Sequence, residues 1–524
     1  MTERIHSLAR RLGDALEDLE TRFNEAYWAS QIEATPENDK RRAHLELELR
    51  ELLSDREALH EVEAALQNEI HDPSIVRELE ILRLRLRANQ MSAEERTQIV
   101  ELSTAIESDF ASFRPQVDGQ GFTENEINEF LERSDDSTER EKVWRVSKEI
   151  GGEVVGRVRE LVRVRNEAAR NLGYADAYSM ELELQELDED WLFERMAELE
   201  SLTDEPFRRW KGDLDRKLKL RFGTDELYPW HYADPFFQNL PPDGHTSLDE
   251  IFGDASAAAL AQKTFAAWGL DLSDVLEKSD LYPRVRKCQH AFCINVDRRG
   301  DVRVLANVRP GEYWISVMLH ECGHAAYDIA IDDKLPYVLR DVAHIFVTES
   351  IALLSGRLAR DMEWLTSIAG VSPEDIEPLR TDLRRATAAQ NVQFARWGLV
   401  MVHFERALYD DPEADLDALW WDTVERFQLL SRPPDAPRGG WASKIHIACA
   451  PVYYQNYLLG DMLASQLEAT AQAECGGLAG SEAAGQMLRE RIFKPGARLP
   501  WSALIEEATG RPLSAKDFAK DFAL

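Results

Sequence analysis

The stretch that decides the reading is Val317-Met318-Leu319-His320-Glu321-Cys322-Gly323-His324-Ala325-Ala326. Its apolar background and spacing predict a helix, and on a helix positions i and i+4 share one face. His320 and His324 can therefore reach a single ion. Glu321, directly after the first histidine, lies beside that ion, placed to take a proton from a water bound there. That pattern is the arrangement of a metal-dependent peptidase. Cys322, inside it, reads as a packing residue.

A hydrolytic zinc site takes three protein ligands and leaves one position open. The third belongs on a helix shortly downstream, and Thr348-Glu349-Ser350-Ile351-Ala352-Leu353-Leu354 fits. Glu349 is a carboxylate in an otherwise apolar stretch, where an unpaired charge is costly; coordination explains it.

Around this core, nearly every long segment reads as helix. From residue 4 to about 112, Leu and Ala recur at three and four amid many charges, with breaks expected at Pro36 and Pro73. Long solvated helices packed pairwise account for the pattern, and no strict heptad persists to support a coiled coil. Pro115 to Gly121 reads as a loop. Helices resume from Thr123 to about Leu172, with Gly151-Gly152 an interruption that need not end one, from Asp188 to Arg221, and from Ser247 to Trp268. Between the last two lies an aromatic, proline-rich loop, Leu227 to Phe237 and then Pro241-Pro242-Asp243-Gly244, suited equally to lining a cleft and to packing on the core. The β signal is confined to Gln289–Val308, where Phe292, Ile294 and Val296 alternate, Asp297 to Gly300 turns, and Val302, Val304 and Ala306 alternate again. This hairpin immediately precedes the motif helix.

The chain has 524 residues, with 62 Lys+Arg against 96 Asp+Glu and a net charge of −34. A surface so acidic repels phosphate backbones and anionic lipid, which argues against nucleic-acid and membrane partners. The opening Met1-Thr2-Glu3-Arg4-Ile5-His6 has no apolar core of a signal peptide, and no run approaches the roughly 18 apolar residues of a membrane span. The 5 cysteines show no paired metal spacing and read as reduced thiols. A cytoplasmic protein is expected.

From about Cys288 to Leu458 the sequence resembles the angiotensin-converting enzyme family of zinc peptidyl-dipeptidases, and more distantly the thimet and oligoendopeptidase families. His320-Glu321-Cys322-Gly323-His324 carries the zinc motif, and Leu335-Pro336-Tyr337-Val338-Leu339-Arg340-Asp341 resembles the approach to the third ligand. Phe23-Asn24-Glu25-Ala26-Tyr27-Trp28-Ala29 and Arg165-Asn166-Glu167-Ala168-Ala169-Arg170 match in the same order along the chain. The resemblance implies one Zn2+ per chain on His320, His324 and Glu349, with Glu321 as general base. Read from the residues alone, Lys444 and His446 suit a surface as well as a site. The resemblance makes Lys444 an anchor for the substrate's terminal carboxylate and His446 a stabiliser of the transition state. It likewise makes Tyr457 the oxyanion donor, Tyr453 a substrate contact, and Cys288 to Phe292 an edge strand along which His290 and Ala291 hold a peptide backbone.

Three departures stand out. The family's aspartate four residues after the third ligand is Leu353 here, its chloride-linked arginine is Asn456, and its carboxylate-binding glutamine has only Glu250 near its place. The fold expected is mainly α, a large helical zincin with a deep central channel and a small β-sheet beside the zinc helix. Residues 1–524 form one catalytic domain, with 1–115 a helical part positioned to cover the channel. The expected activity is release of C-terminal dipeptides from short peptides. An oligoendopeptidase cutting internally, and a catalytically inert peptide-binding scaffold, are the alternatives.

Overall fold

A computed structural model describes residues 2–240, 247–520 and 522. Helix dominates, and the two sheets among the described residues are two-stranded antiparallel ladders. Pro241 to Gly244 of the aromatic loop lie outside the described residues.

The chain sorts into two compact units. The first takes the chain up to Gln90, Ser247–Arg380 and Leu459–Phe518; the second takes the described parts of Met91–Thr246, Thr381–Leu458 and Ala519–Leu524.

In the first unit, helices Thr2–Ile32, Pro36–Leu53, Arg56–Leu66 and Pro73–Arg87 form the N-terminal layer. The helical run breaks ahead of Pro36 and Pro73 as expected, and each proline begins the next helix: it stands in the first turn behind a side-chain cap, Thr35 accepting from the Asn38 N–H and Asp72 from that of Ser74. These helices bury Leu12, Leu16, Val62, Leu79, Leu82 and Leu86 against Tyr337 and Val338. That pair lies on the link between the two ligand-bearing helices, so the N-terminal layer supports the connection that sets them side by side. Glu20 completes the join, accepting from the Tyr337 hydroxyl at 2.8 Å and pairing with Arg85 and Arg298.

The stretch expected as one helix from Ser247 to Trp268 is two, Asp249–Phe252 and Ala257–Ala267. Gly253, at φ 49°, turns the backbone out of the helix between them. The hairpin lies where expected, Phe292–Asn295 against Val302–Leu305, in the register Phe292↔Leu305 to Asn295↔Val302. Asp280 backs its second strand, donating to the Val304 carbonyl and accepting from the Ala306 N–H, each at 2.9 Å.

The second unit is built on the long helices Ala93–Ser112, Glu149–Asn171 and Glu189–Phe222 and on most of Arg380–Asp410. Glu149–Asn171 runs straight through Gly151 and Gly152. A Cβ on Gly151 would lie 2.3 Å from the Gly439 carbonyl oxygen, so the glycine is there for close approach. A second small ladder, Gln116–Val117 with Gln120–Gly121, closes the Pro115–Gly121 loop. No helix among the described residues is long and apolar enough to cross a membrane.

Candidate metal centre

The motif helix runs Glu312–Ala330 and is capped from a distance: the Asp249 carboxylate accepts the Glu312 N–H at 2.8 Å. Helix Ile345–Arg357 carries the third ligand, its start capped by His344 Nδ1 accepting the Phe346 N–H at 3.1 Å. The two helices cross closely at Gly323, where a Cβ would come within 2.9 Å of the Ala352 Cα. Cys322 beside it is fully buried, the packing residue expected.

This crossing brings His320, His324 and Glu349 together, their donor atoms all within 4.8 Å of one another. His320 Nε2 lies 3.7 Å from Glu349 Oε1 and His324 Nε2 lies 3.6 Å from Oε2. Burial lowers His320 to about 4 and His324 to about 3, so both rings are neutral at pH 7 and each keeps a lone pair for a metal. Burial, with Asp461 nearby, raises Glu349 to about 7. Glu321 is pushed up to about 8 by burial and by Glu349, offset in part by a hydrogen bond from the Cys293 N–H of the hairpin. Glu349 beside two neutral imidazoles makes a donor set that a divalent cation satisfies, with Glu321, raised in part by Glu349, next to it. Among the described residues this is the one group of three or more His, Cys, Asp or Glu side chains so arranged. Cys288 to Ala291, expected as an edge strand, are not a strand: the ladder begins only at Phe292, and His290, exposed, and Ala291 lie directly before it in the same unit.

The other predicted residues lie in the second unit and gather around a tryptophan. Lys444 Nζ donates to Gln238 Oε1 at 2.9 Å and lies 5.5 Å from the ring centres of Phe236 and Trp397. Burial lowers its pKa, with Asp234 pulling the other way. Trp397 donates through Nε1 to the Tyr454 hydroxyl at 3.2 Å, and the Tyr454 ring lies 5.5 Å from that of His446. Tyr457 stacks edge-on to both Tyr453, at 5.2 Å, and Tyr454, at 5.5 Å. Burial and Lys444 lower His446 to about 4.

The residue partnering Lys444 is Gln238; Glu250, nearest by sequence position to the family's glutamine, is on a short helix of the first unit. A neutral amide leaves the ammonium free for a carboxylate, where a glutamate would compete with one. Gln238 escaped the sequence reading because it lies 206 residues away, in a loop without periodicity. The aromatic, proline-rich composition of that loop was the available signal.

Residues 2–207 match the family described as Angiotensin-converting enzyme, and residues 278–524 match Peptidase family M3. Carboxypeptidase 1 of Bacillus subtilis is 26% identical over 264 residues, 44% of this chain and 52% of that protein. Thermostable carboxypeptidase 1 of Thermus thermophilus is 28% identical over 265 residues, 45% of this chain and 51% of that protein. The chain thus aligns with about half the length of the curated relatives it matches. Two successive stretches thus match related peptidase families, and within the second of them two histidines converge on a glutamate, which supports a metallopeptidase of the gluzincin type.

Proposed function

We propose that the chain is a zinc-dependent peptidase that takes short peptides and releases C-terminal dipeptides. The convergence of His320, His324 and Glu349 beside Glu321 carries this reading. Bonds of about 2.0–2.1 Å at tetrahedral angles separate ligand atoms by about 3.4 Å, and the observed separations of 3.6 and 3.7 Å fit. When bound, zinc polarises a peptide carbonyl and lowers the pKa of water towards about 7. Glu321 is the residue that would take a proton from an attacking water and pass it to the leaving amine. A divalent ion held there would favour the ionised form of Glu321, against the burial and the Glu349 charge that raise it.

The roles of the second unit's residues follow the order of the matching motifs. His446 and Tyr457 donate to the oxyanion, each contact worth about 3–4 kcal/mol when removed. Lys444 takes the C-terminal carboxylate with Gln238 beside it. Tyr453 contacts the substrate, and Tyr454, tied to Trp397, is the tyrosine attached to the Lys444 cluster. His290 and Ala291 hold the peptide backbone. Two relatives bear the name carboxypeptidase, which favours cleavage from the C-terminus over internal cleavage. The 5 cysteines are unpaired, which supports the cytoplasm as compartment.

The test is digestion of one peptide with a free and with an amidated C-terminus, with and without chelator. Chelator-sensitive dipeptide release that amidation abolishes is the expected result. Indifference to amidation would instead establish the oligoendopeptidase reading. Glu321→Gln should keep stoichiometric zinc and lose about 10²–10⁴-fold in kcat/KM. Wild-type activity in that variant would exclude Glu321 as base, and no zinc with no hydrolysis in the wild type would leave a peptide-binding scaffold.

A further inference from the structure

Zinc-binding histidines donate their second ring N–H to an oxygen that fixes the tautomer and the ring's direction. The aspartate expected for such a role four residues after Glu349 is Leu353, which packs tightly: a Cβ added to Gly460 would lie 3.3 Å from its Cδ1. The geometry points to Thr348 as the positioning residue for His324, a role that rests on the zinc reading above.

The two ring nitrogens of His324 face different partners. Nε2 faces Glu349 at 3.6 Å, while Nδ1 lies 2.7 Å from Thr348 Oγ1. A hydroxyl can donate or accept, so two arrangements compete. If Thr348 donates to Nδ1, the ring proton sits on Nε2 and blocks it as a ligand; at 3.6 Å it also lacks a proper hydrogen bond to Glu349. If Nδ1–H donates to Oγ1, the 2.7 Å contact is kept and the Nε2 lone pair is left free beside the other two donors. Only the second leaves Nε2 able to take a metal, and with an ion there both nitrogens would be satisfied.

Position does the rest. Thr348 immediately precedes Glu349 on the same helix, so one element supplies both a metal ligand and the support of another. Its side chain is β-branched, with few χ1 choices on a helix, and the residue is 6% exposed, so water competes poorly for the hydrogen bond. A neutral hydroxyl, unlike an aspartate, adds no negative charge to a site that already holds two buried carboxylates.

The test is zinc affinity measured by chelator competition on metal-free wild type, Thr348→Ser and Thr348→Val, with thermal melts of the metal-free forms. Valine should weaken binding about 10–100-fold while serine stays near wild type, with all three melting alike. Equal affinity in the valine variant would overturn the assignment and leave the metal site standing. A wild type that takes up no zinc would instead overturn the functional reading. Should the valine variant fail to fold, 15N-histidine spectra of the metal-free wild type decide, with His324 assigned by its loss in His324→Ala. A proton on Nδ1 is expected, and a proton on Nε2 would overturn the assignment.

Discussion

Val452 is β-branched yet holds φ at 49°, a conformation that costs of order 1–3 kcal/mol and persists only where its surroundings insist on it. Here three side chains insist. Glu405 accepts its N–H at 2.8 Å, and its carbonyl accepts from Gln185 at 3.1 Å and from Gln455 at 2.6 Å. The clamp stands directly before Tyr453, Tyr454 and Tyr457 and sets how that segment enters its helix. Burial raises Glu405 to about 8, against the pull of the Val452 N–H and Arg165. The sign follows: a carboxyl raised on folding contributes fully below the unfolded value of about 4.3, and that contribution is lost as pH rises through about 8. Glu405→Gln keeps an acceptor for Val452 and removes the titration. Its denaturation midpoint should therefore gain steadily on wild type between pH 5 and about 9. Parallel pH profiles for the two proteins would mean that Glu405 is not buried and neutral.

At the scale of elements, the metal centre depends on two helices meeting closely. Gly323 is where they do: a Cβ there would lie 2.9 Å from the Ala352 Cα, 3.0 Å from Ser355 Oγ and 3.1 Å from the Ile351 carbonyl oxygen. Two of those atoms are backbone and cannot yield alone. Gly323→Ala should cost about 1–3 kcal/mol and weaken zinc binding, since the helices must part. Gly356 is the control, because its added Cβ would meet nothing nearer than 3.4 Å; alanine there should be tolerated. If chemical denaturation finds the two alike, close approach at Gly323 is not what seats the ligands. The same pair of helices shows what sequence can carry. The period of His320 and His324, and a lone carboxylate at Glu349 in an apolar helix, are local facts, so they were legible. That Gly323 is a packing contact, that Asp249 caps the motif helix and that Gln238 meets Lys444 are facts about distant segments, which no local period encodes. The break at Gly253 was missed for another reason: Leu248, Ile251 and Phe252 before it and Ala257, Leu260 and Ala261 after it fit one helix as well as two.

For the molecule as a whole, the governing number is the net charge of −34. Such an excess opposes the compact state through self-repulsion, and salt relieves it as the Debye length shrinks from about 30 Å at 0.01 M to about 3 Å at 1 M. The melting temperature should therefore rise over that range, and sodium acetate should raise it as sodium chloride does. The resemblance to a family with a chloride-linked arginine raises a sharper question, whether chloride also acts on catalysis. Asn456 stands at that position without a positive charge. Its Nδ2 already donates to Gln185 Oε1 at 3.0 Å, and its Oδ1 is buried without a partner, an acceptor that repels anions. At matched ionic strength, the rate of hydrolysis of an uncharged peptide should then be the same in chloride and in acetate, within about twofold. A several-fold advantage for chloride, saturating with concentration, would show a bound anion and would require a cation other than residue 456 to hold it.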